Sequence, residues 1–256
     1  MGAAADFARR VRAREPLVGY WVMLDAPPAT ERLATLGYDF VCLDAQHGLI
    51  GYSGLLAGLM AIDAGGRSVG LVRVGANDPF LIGQALDAGA AGVIVPLVNT
   101  ADDARRALAA ARYPAYGVRS YAPMRAGLRI GPVPADADRS VVVLAMIETH
   151  DGLANVEEIC SVEGLDGIYV GPYDLRLALG GAYPTDPSLD DAFDEAVERI
   201  NRAAQQAGIC AGFHTFDGTT AATRLEQGFT LATVCCDLTH LEQVAAGHLR
   251  AARPPR

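Results

Sequence analysis

The chain has 256 residues, 51% of them hydrophobic, with a net charge of −9 and a pI of about 5.0. That size and apolarity support one large core, and an acidic balance without a basic run makes nucleic acid and anionic membrane poor partners. All 21 basic side chains counted as Lys+Arg are Arg, which excludes a lysine Schiff base with a carbonyl substrate or with pyridoxal phosphate, and a P-loop lysine as well.

The N-terminal stretch MGAAADFARRVRAREP has no apolar h-region and does not read as a signal peptide. Eight apolar runs then alternate with helical patterns: residues 18–24, 38–44, 69–74, 91–98, 141–147, 166–171, 209–214 and 229–236. Asp78-Pro79 is an N-cap followed by Pro at the first helical position. Thr100 precedes ADDARRALAAAR, with acids in the first turn and Arg later. Leu189, Phe193, Val197, Ile200 and Ala204 recur at helical spacing and predict a long amphipathic helix. Eight βα units predict an α/β fold with a parallel sheet closed into a (β/α)8 barrel, one domain over residues 1–256. An open doubly wound sheet is the alternative, but no GxGxxG follows the first run. Residues 113–140 break the regularity with Pro, Gly, Tyr and Arg and read as a long functional or interface loop. Arg119, Arg125 and Arg129 in it are expected to close over a site or to bridge subunits, with the interface preferred. The tail AARPPR is expected to end the fold as a disordered or partner-docked strand. Cys42, Cys160, Cys210, Cys235 and Cys236 form no CxxC pair and read as reduced thiols in a cytoplasmic protein. No apolar run approaches the length of a membrane span.

Two carboxylates carry the most chemistry. Glu148 and Asp174 each follow an apolar run, and one helix-length segment separates the runs. Consecutive parallel strands end on the same side, so both acids belong at the loop face where α/β enzymes keep their sites. Two hard oxygen ligands with room for water and substrate suit Mg²⁺ or Mn²⁺. Acids also cap helices at such junctions, and on spacing alone the two readings stand level. The second run ends in Asp44-Ala45-Gln46-His47-Gly48, placing a carboxylate, an amide and an imidazole on that face. His is a proton shuttle near neutral pH, and a nearby acid can orient it. Arg73 lies in an otherwise apolar run and needs an anion. That anion is a substrate carboxylate or enolate oxygen, or a structural partner in Asp44 or Glu148. Gly171-Pro172-Tyr173-Asp174 opens a helix whose Gly171, Tyr173 and Asp174 N–H groups can hold a carboxylate. His214 shares the face and reads as structural. His150, His240 and His248 read as surface or helix residues.

Taken in order, DAQHG, LVRV, IVPLVNTADDARRALAAARYP, MIET and VGPYDL resemble the HpcH/HpaI aldolase family over nearly the whole chain. The resemblance implies a TIM barrel of the phosphoenolpyruvate/pyruvate type, with its last helix exchanged between neighbours in a hexamer of dimers. It implies cleavage of a 4-hydroxy-2-oxo acid to pyruvate and an aldehyde by a class II, metal-dependent route. Glu148 and Asp174 match the metal ligands, for Mg²⁺ or Mn²⁺, with Co²⁺ or Zn²⁺ also compatible. Arg73 matches the residue that contacts pyruvate and steadies its enolate. His47 matches the acid/base histidine with Asp44 as its partner, and Gly171 and Tyr173 match the carboxylate cradle. Two positions depart from the family pattern: Gln46 replaces a Glu, and Met146 replaces an amide two residues before Glu148. Oxaloacetate decarboxylation, CoA-ester lysis and a non-catalytic metal-binding barrel are the competing expectations.

Overall fold

The structure, a computed structural model, describes residues 2–253. Its strands are β1 (Leu17–Val22), β2 (Phe40–Asp44), β3 (Val69–Arg73), β4 (Gly92–Val95), β5 (Val142–Ile147), β6 (Gly167–Val170), β7 (Cys210–His214) and β8 (Leu231–Cys236). All pairs are parallel, each strand pairs with the next, and β8 closes on β1. Each predicted run therefore carries one strand of a (β/α)8 barrel. The run 91–98 overreaches because Pro96 has no N–H to give the ladder, and β4 stops at Val95.

Both faces of every strand are buried, so the strands read as continuous apolar runs. Period two sorts them. Leu17, Trp21, Phe40, Cys42, Leu71, Ile94, Leu144, Met146 and Tyr169 fill the barrel, while Val41, Leu43, Val72, Val93, Val143 and Ile168 pack under the helices. Gly19 faces inward, and a Cβ there would lie 2.1 Å from the Phe40 ring, so a bulky ring and a glycine share one layer. The N-terminal helix Ala3–Arg12 closes the lower end with buried Phe7, Ala8 and Val11, and its Phe7 ring meets Phe40 at 6.0 Å.

Near its top, β8 carries an irregularity. The register with β1 runs Gly19↔Thr233 and then Trp21↔Cys236, so one residue is extra, and Cys235 takes φ +154°. Such a bulge exchanges inside for outside. Thr233 points into the barrel, and beyond the bulge it is Cys236, not Cys235, that reaches the cavity.

Residues 113–140 are less irregular than expected, containing the helices Ala126–Arg129 and Pro134–Ser140. Three of their arginines make ion pairs within the chain. Arg119 is buried, donates to Asp87 at 2.6 Å and lies over the Tyr113 ring. Arg125 and Arg129 both bind Asp63. The segment is thus pinned to the chain's own helices Tyr52–Gly65 and Pro79–Asp87, and it leaves Tyr116, Val118, Met124 and Leu128 exposed.

The tail differs from the expectation in its first residues. Ala251 and Ala252 end the helix Asp237–Ala252, and residues 254–256 lie outside the described residues. That helix has no buried residue, and Leu241, Val244 and Leu249 are exposed. Only its start is tied down: Asp237 accepts the N–H groups of Met23 and Leu24, and His240 Nδ1 meets the Tyr20 hydroxyl at 2.7 Å. His240 therefore has a partner that sequence spacing did not suggest. Among the described residues no helix is long and apolar enough to cross a membrane.

Candidate active site at the C-terminal mouth of the barrel

The strands' C-terminal ends surround a cavity of about 380 Å³ lined by Asp44, His47, Arg73, Gly171, Tyr173 and Asp174, together with Trp21, Met146, His214, Phe216 and Cys236. Every sequence-predicted site residue except Glu148 lines it, and Glu148 stands directly behind the wall. A Cβ on Gly171 would lie 2.5 Å from Glu148 Oε2 and 2.7 Å from Met146 Cε. Gly171 is thus the window through which Glu148 approaches the cavity.

Glu148 is 2% exposed. Its Oε1 accepts the Leu97 N–H at 2.9 Å, and Oε2 accepts no hydrogen bond among the described residues. Leu97 donates from a left-handed backbone, φ +55°, while its side chain stands in solvent. A non-glycine residue held there stores strain of about 1–3 kcal/mol, which the surroundings must impose. Burial pushes the Glu148 carboxyl up from its ordinary value; the Leu97 hydrogen bond opposes this, and the Asp174 charge adds to it.

Asp44 and Arg73 form one buried unit. Arg73 Nε donates to Asp44 Oδ1 at 3.0 Å, and its Nη2 donates to Oδ2. Trp21 Nε1 donates to Oδ2 at 3.1 Å, and the Arg73 guanidinium lies 5.1 Å from the Trp21 ring centre. The backbone N–H groups of Gln46 and His47 both reach Asp44 Oδ1. Burial pushes Asp44 up, but these donors and the Arg73 charge outweigh it, and the carboxyl ends below its ordinary value. The structural partner weighed for Arg73 is therefore Asp44. The expected contact between Asp44 and the His47 imidazole is absent: Asp44 holds His47 by its backbone, and the ring stands at the exposed rim with no hydrogen bond among the described residues. One carboxylate cannot serve five donors and also face a ring on the solvent side.

The turn after β6 also departs from the expectation. The Gly171 N–H is taken by the Ile147 carbonyl at 3.3 Å. The N–H groups of Tyr173 and Asp174, at the start of the helix Pro172–Ala178, have no partner among the described residues. Of the two departures noted in the sequence, Met146 is buried and lines the cavity, and Gln46 carries a buried Oε1 without a partner among the described residues. No cluster of three or more His, Cys, Asp or Glu converges among those residues. Sequence reasoning missed Trp21, Phe216, Leu97 and Cys236. Period two along β1 places Trp21 inward with Gly19, so that signal was present; no sequence pattern announces the φ of Leu97 or the bulge before Cys236.

The model of the HpcH/HpaI aldolase/citrate lyase family matches residues 17–243. A hydroxypyruvate/pyruvate aldolase of Rhizorhabdus wittichii is 39% identical over 239 residues, 93% of this chain and 94% of that protein. A 5-keto-4-deoxy-D-glucarate aldolase of Klebsiella pneumoniae is 35% identical over 236 residues, 91% of this chain and 90% of that protein. The crystal structure of an HpcH/HpaI aldolase/citrate lyase family protein from Burkholderia cenocepacia superposes with a TM-score of 0.89 at 33% identity, covering 98% of this chain and all of that one (100%). The barrel, the acids at its mouth and these relatives lead to one assignment: the chain belongs to the HpcH/HpaI aldolase/citrate lyase family and is a carbon–carbon lyase.

Proposed function

We propose that the protein is a pyruvate aldolase that cleaves or forms 4-hydroxy-2-oxo acids with the help of a divalent cation, Mg²⁺ or Mn²⁺, held by Glu148 and Asp174. The observation that carries this reading is Glu148 itself. It is a buried carboxylate with one bare oxygen, lifted in pKa by burial and by a second acid, at the wall of the cavity. A buried acid that also feels the charge of a second acid at the exposed rim is unfavourable by itself and suits a cation with hard oxygen ligands. When bound, such an ion polarises the 2-oxo group as a Lewis acid.

The chain's own groups supply the rest. Arg73, fixed by Asp44, offers a preorganised positive charge to the same oxygen as negative charge grows there. The free Tyr173 and Asp174 N–H groups hold the carboxylate, with Gly171 giving room rather than a donor. His47 at the rim takes the proton from the C4 hydroxyl. The C3–C4 bond then breaks, its electron pair passes into the pyruvate enolate, and a proton returned to C3 gives pyruvate. The absence of Lys from the sequence supports this route over a Schiff base. The same reading makes the chain one (β/α)8 domain of a cytoplasmic homo-oligomer, a hexamer by family resemblance. The exposed apolar side of the helix Asp237–Ala252 and the patch around Met124 and Leu128 support that assembly.

The direct test is pyruvate release from 4-hydroxy-2-oxopentanoate with EDTA, then with Mg²⁺ or Mn²⁺ restored, and oxaloacetate in parallel. Release that returns with metal is expected, and metal-independent release refutes the reading. His47→Ala is expected to lower cleavage of the hydroxy acid by about 10²–10⁴-fold while sparing oxaloacetate decarboxylation, which has no hydroxyl proton to remove. Equal loss of both activities rules out the base assignment. Gly171→Ala drives a methyl group against Glu148 Oε2, and Mg²⁺ affinity by calorimetry is expected to fall about 10–100-fold; unchanged affinity counts against Glu148 as a ligand.

A further inference from the structure

The cavity has two chemically different sectors. Strands β2 to β6 contribute the charged groups, from Asp44 and Arg73 round to Asp174. Strands β7, β8 and β1 contribute an uncharged sector of His214, Phe216, Cys236 and Trp21. His214 is clamped there. Its ring stands edge-on to Trp21 at 4.8 Å and to Phe216 at 5.2 Å, and Phe216 stacks on Tyr173 at 4.4 Å.

A hydrogen-bonded chain behind the ring decides its tautomer. The Tyr169 hydroxyl is buried, and Thr233 Oγ1, at 2.9 Å, is its partner among the described residues. A buried phenol needs an acceptor for its proton, so Tyr169 donates to Thr233. Thr233 Oγ1, itself buried, then has its own proton for His214 Nδ1 at 3.2 Å. With Nδ1 accepting, the neutral ring carries its proton on Nε2. That nitrogen has no protein partner among the described residues, and the ring lines the cavity. Burial, helped by the Arg73 charge, pushes the ring's pKa down to about 4, so the imidazole stays neutral under ordinary conditions.

We propose that His214 Nε2–H is the donor that selects the aldehyde half of the substrate, favouring aldehydes with a hydroxyl on the carbon next to the carbonyl. The inference rests on the aldolase reading above. The charged sector is occupied by the pyruvate half in that reading, so the second half extends towards β7 and β1. A fixed donor in an apolar, aromatic surround rewards an oxygen and penalises its methyl isostere, because an unfilled Nε2–H stays desolvated and unpaired. His214 thereby acts in specificity, and the chain Tyr169–Thr233 positions it.

Glycolaldehyde and propanal form the matched pair, differing only by hydroxyl against methyl. The readout is kcat/KM for aldol addition of pyruvate with Mg²⁺, taken as the glycolaldehyde-to-propanal ratio. His214→Leu is expected to lower this ratio roughly ten- to hundred-fold, mostly through KM for glycolaldehyde. His214→Gln, which keeps an N–H near the same place, is expected to recover part of it. If His214→Leu lacks a cooperative melt, Thr233→Val substitutes for it, and the ratio is expected to move the same way by less. An unchanged ratio in the folded variant overturns the inference even when both rates fall together. A wild-type protein that condenses pyruvate with neither aldehyde, with metal present, overturns the aldolase reading and the inference with it.

Discussion

Glu148→Gln is expected to cost at least about a thousand-fold in metal-dependent pyruvate release, since Lewis-acid stabilisation of a developing enolate is worth several kcal/mol. The same change is expected to raise the melting temperature of the metal-free protein. The glutamine Oε1 keeps the Leu97 N–H as its donor but carries no charge into the buried wall. The sign follows from the direction of the shift. Glu148 has a folded pKa above its unfolded value, so the folded state binds its proton more tightly. Ionisation therefore destabilises the metal-free fold progressively as pH rises from the unfolded glutamate range, about 4.3, through the folded value, and fully above it. Below that window wild type and variant should converge. Added Mg²⁺ should reverse the order of the melts, raising wild type by mass action and leaving Glu148→Gln unmoved. Melting curves in EDTA and in Mg²⁺ at two pH values give the answer. A variant that gains as much from Mg²⁺ as wild type removes Glu148 from the metal site.

The second large effect concerns stability. Asp44→Ala is expected to destabilise the protein by about 3–5 kcal/mol, because it leaves the Arg73 guanidinium buried without its anion. It also strands Trp21 Nε1 and the N–H groups of Gln46 and His47, all of which converge on Asp44. Arg73→Met alone strands the carboxylate in turn. The double variant Asp44→Ala/Arg73→Met is expected to cost less than the two single changes together, because neither charge remains to be left alone. Denaturant unfolding of the four proteins measures this coupling, and simple additivity would mean that the pair is not a unit. Asp44 has a depressed folded pKa, so its contribution is present above the unfolded aspartate value of about 3.9 and is lost as pH falls through the lower folded value. Activity is expected to collapse in every one of these variants, since each removes Arg73 or its one hydrogen-bond acceptor among the described residues.

How far the sequence reaches is clear from single residues. Each strand is legible because a run buried on both faces is apolar throughout, and Pro96 is the local reason for the longest overrun. The convergence of Asp44, Arg73 and Asp174 on one mouth, with Glu148 at its wall, was legible because parallel strands share a polarity. The partner of Asp44 was not. Whether its carboxylate meets Arg73 or the His47 ring depends on the register Asp44↔Arg73 between β2 and β3, and that register is summed over the whole closed barrel. The spacing counts the Gly171 N–H as a free donor, whereas it is spent on Ile147, because Ile147 pairs with Val170 in the parallel ladder and its carbonyl takes the next N–H along β6. The sequence alone reads His214 as structural. Its structural contacts are real, yet the proton on Nε2 follows from Tyr169 and Thr233, two residues on different strands.

By itself, the sequence determined what local periodicity and chemistry can carry: eight alternating units, two acids on one face, and no lysine for a Schiff base. Tertiary structure decided which groups pair, which N–H groups remain free, where Leu97 is strained and what the last helix leaves exposed. The physical reason is range. Hydrophobic period and side-chain type act over a few residues, whereas each of these pairings closes a loop of tens to hundreds of residues, from Asp44 to Arg73 and from Tyr20 to His240, whose geometry only the closed barrel sets.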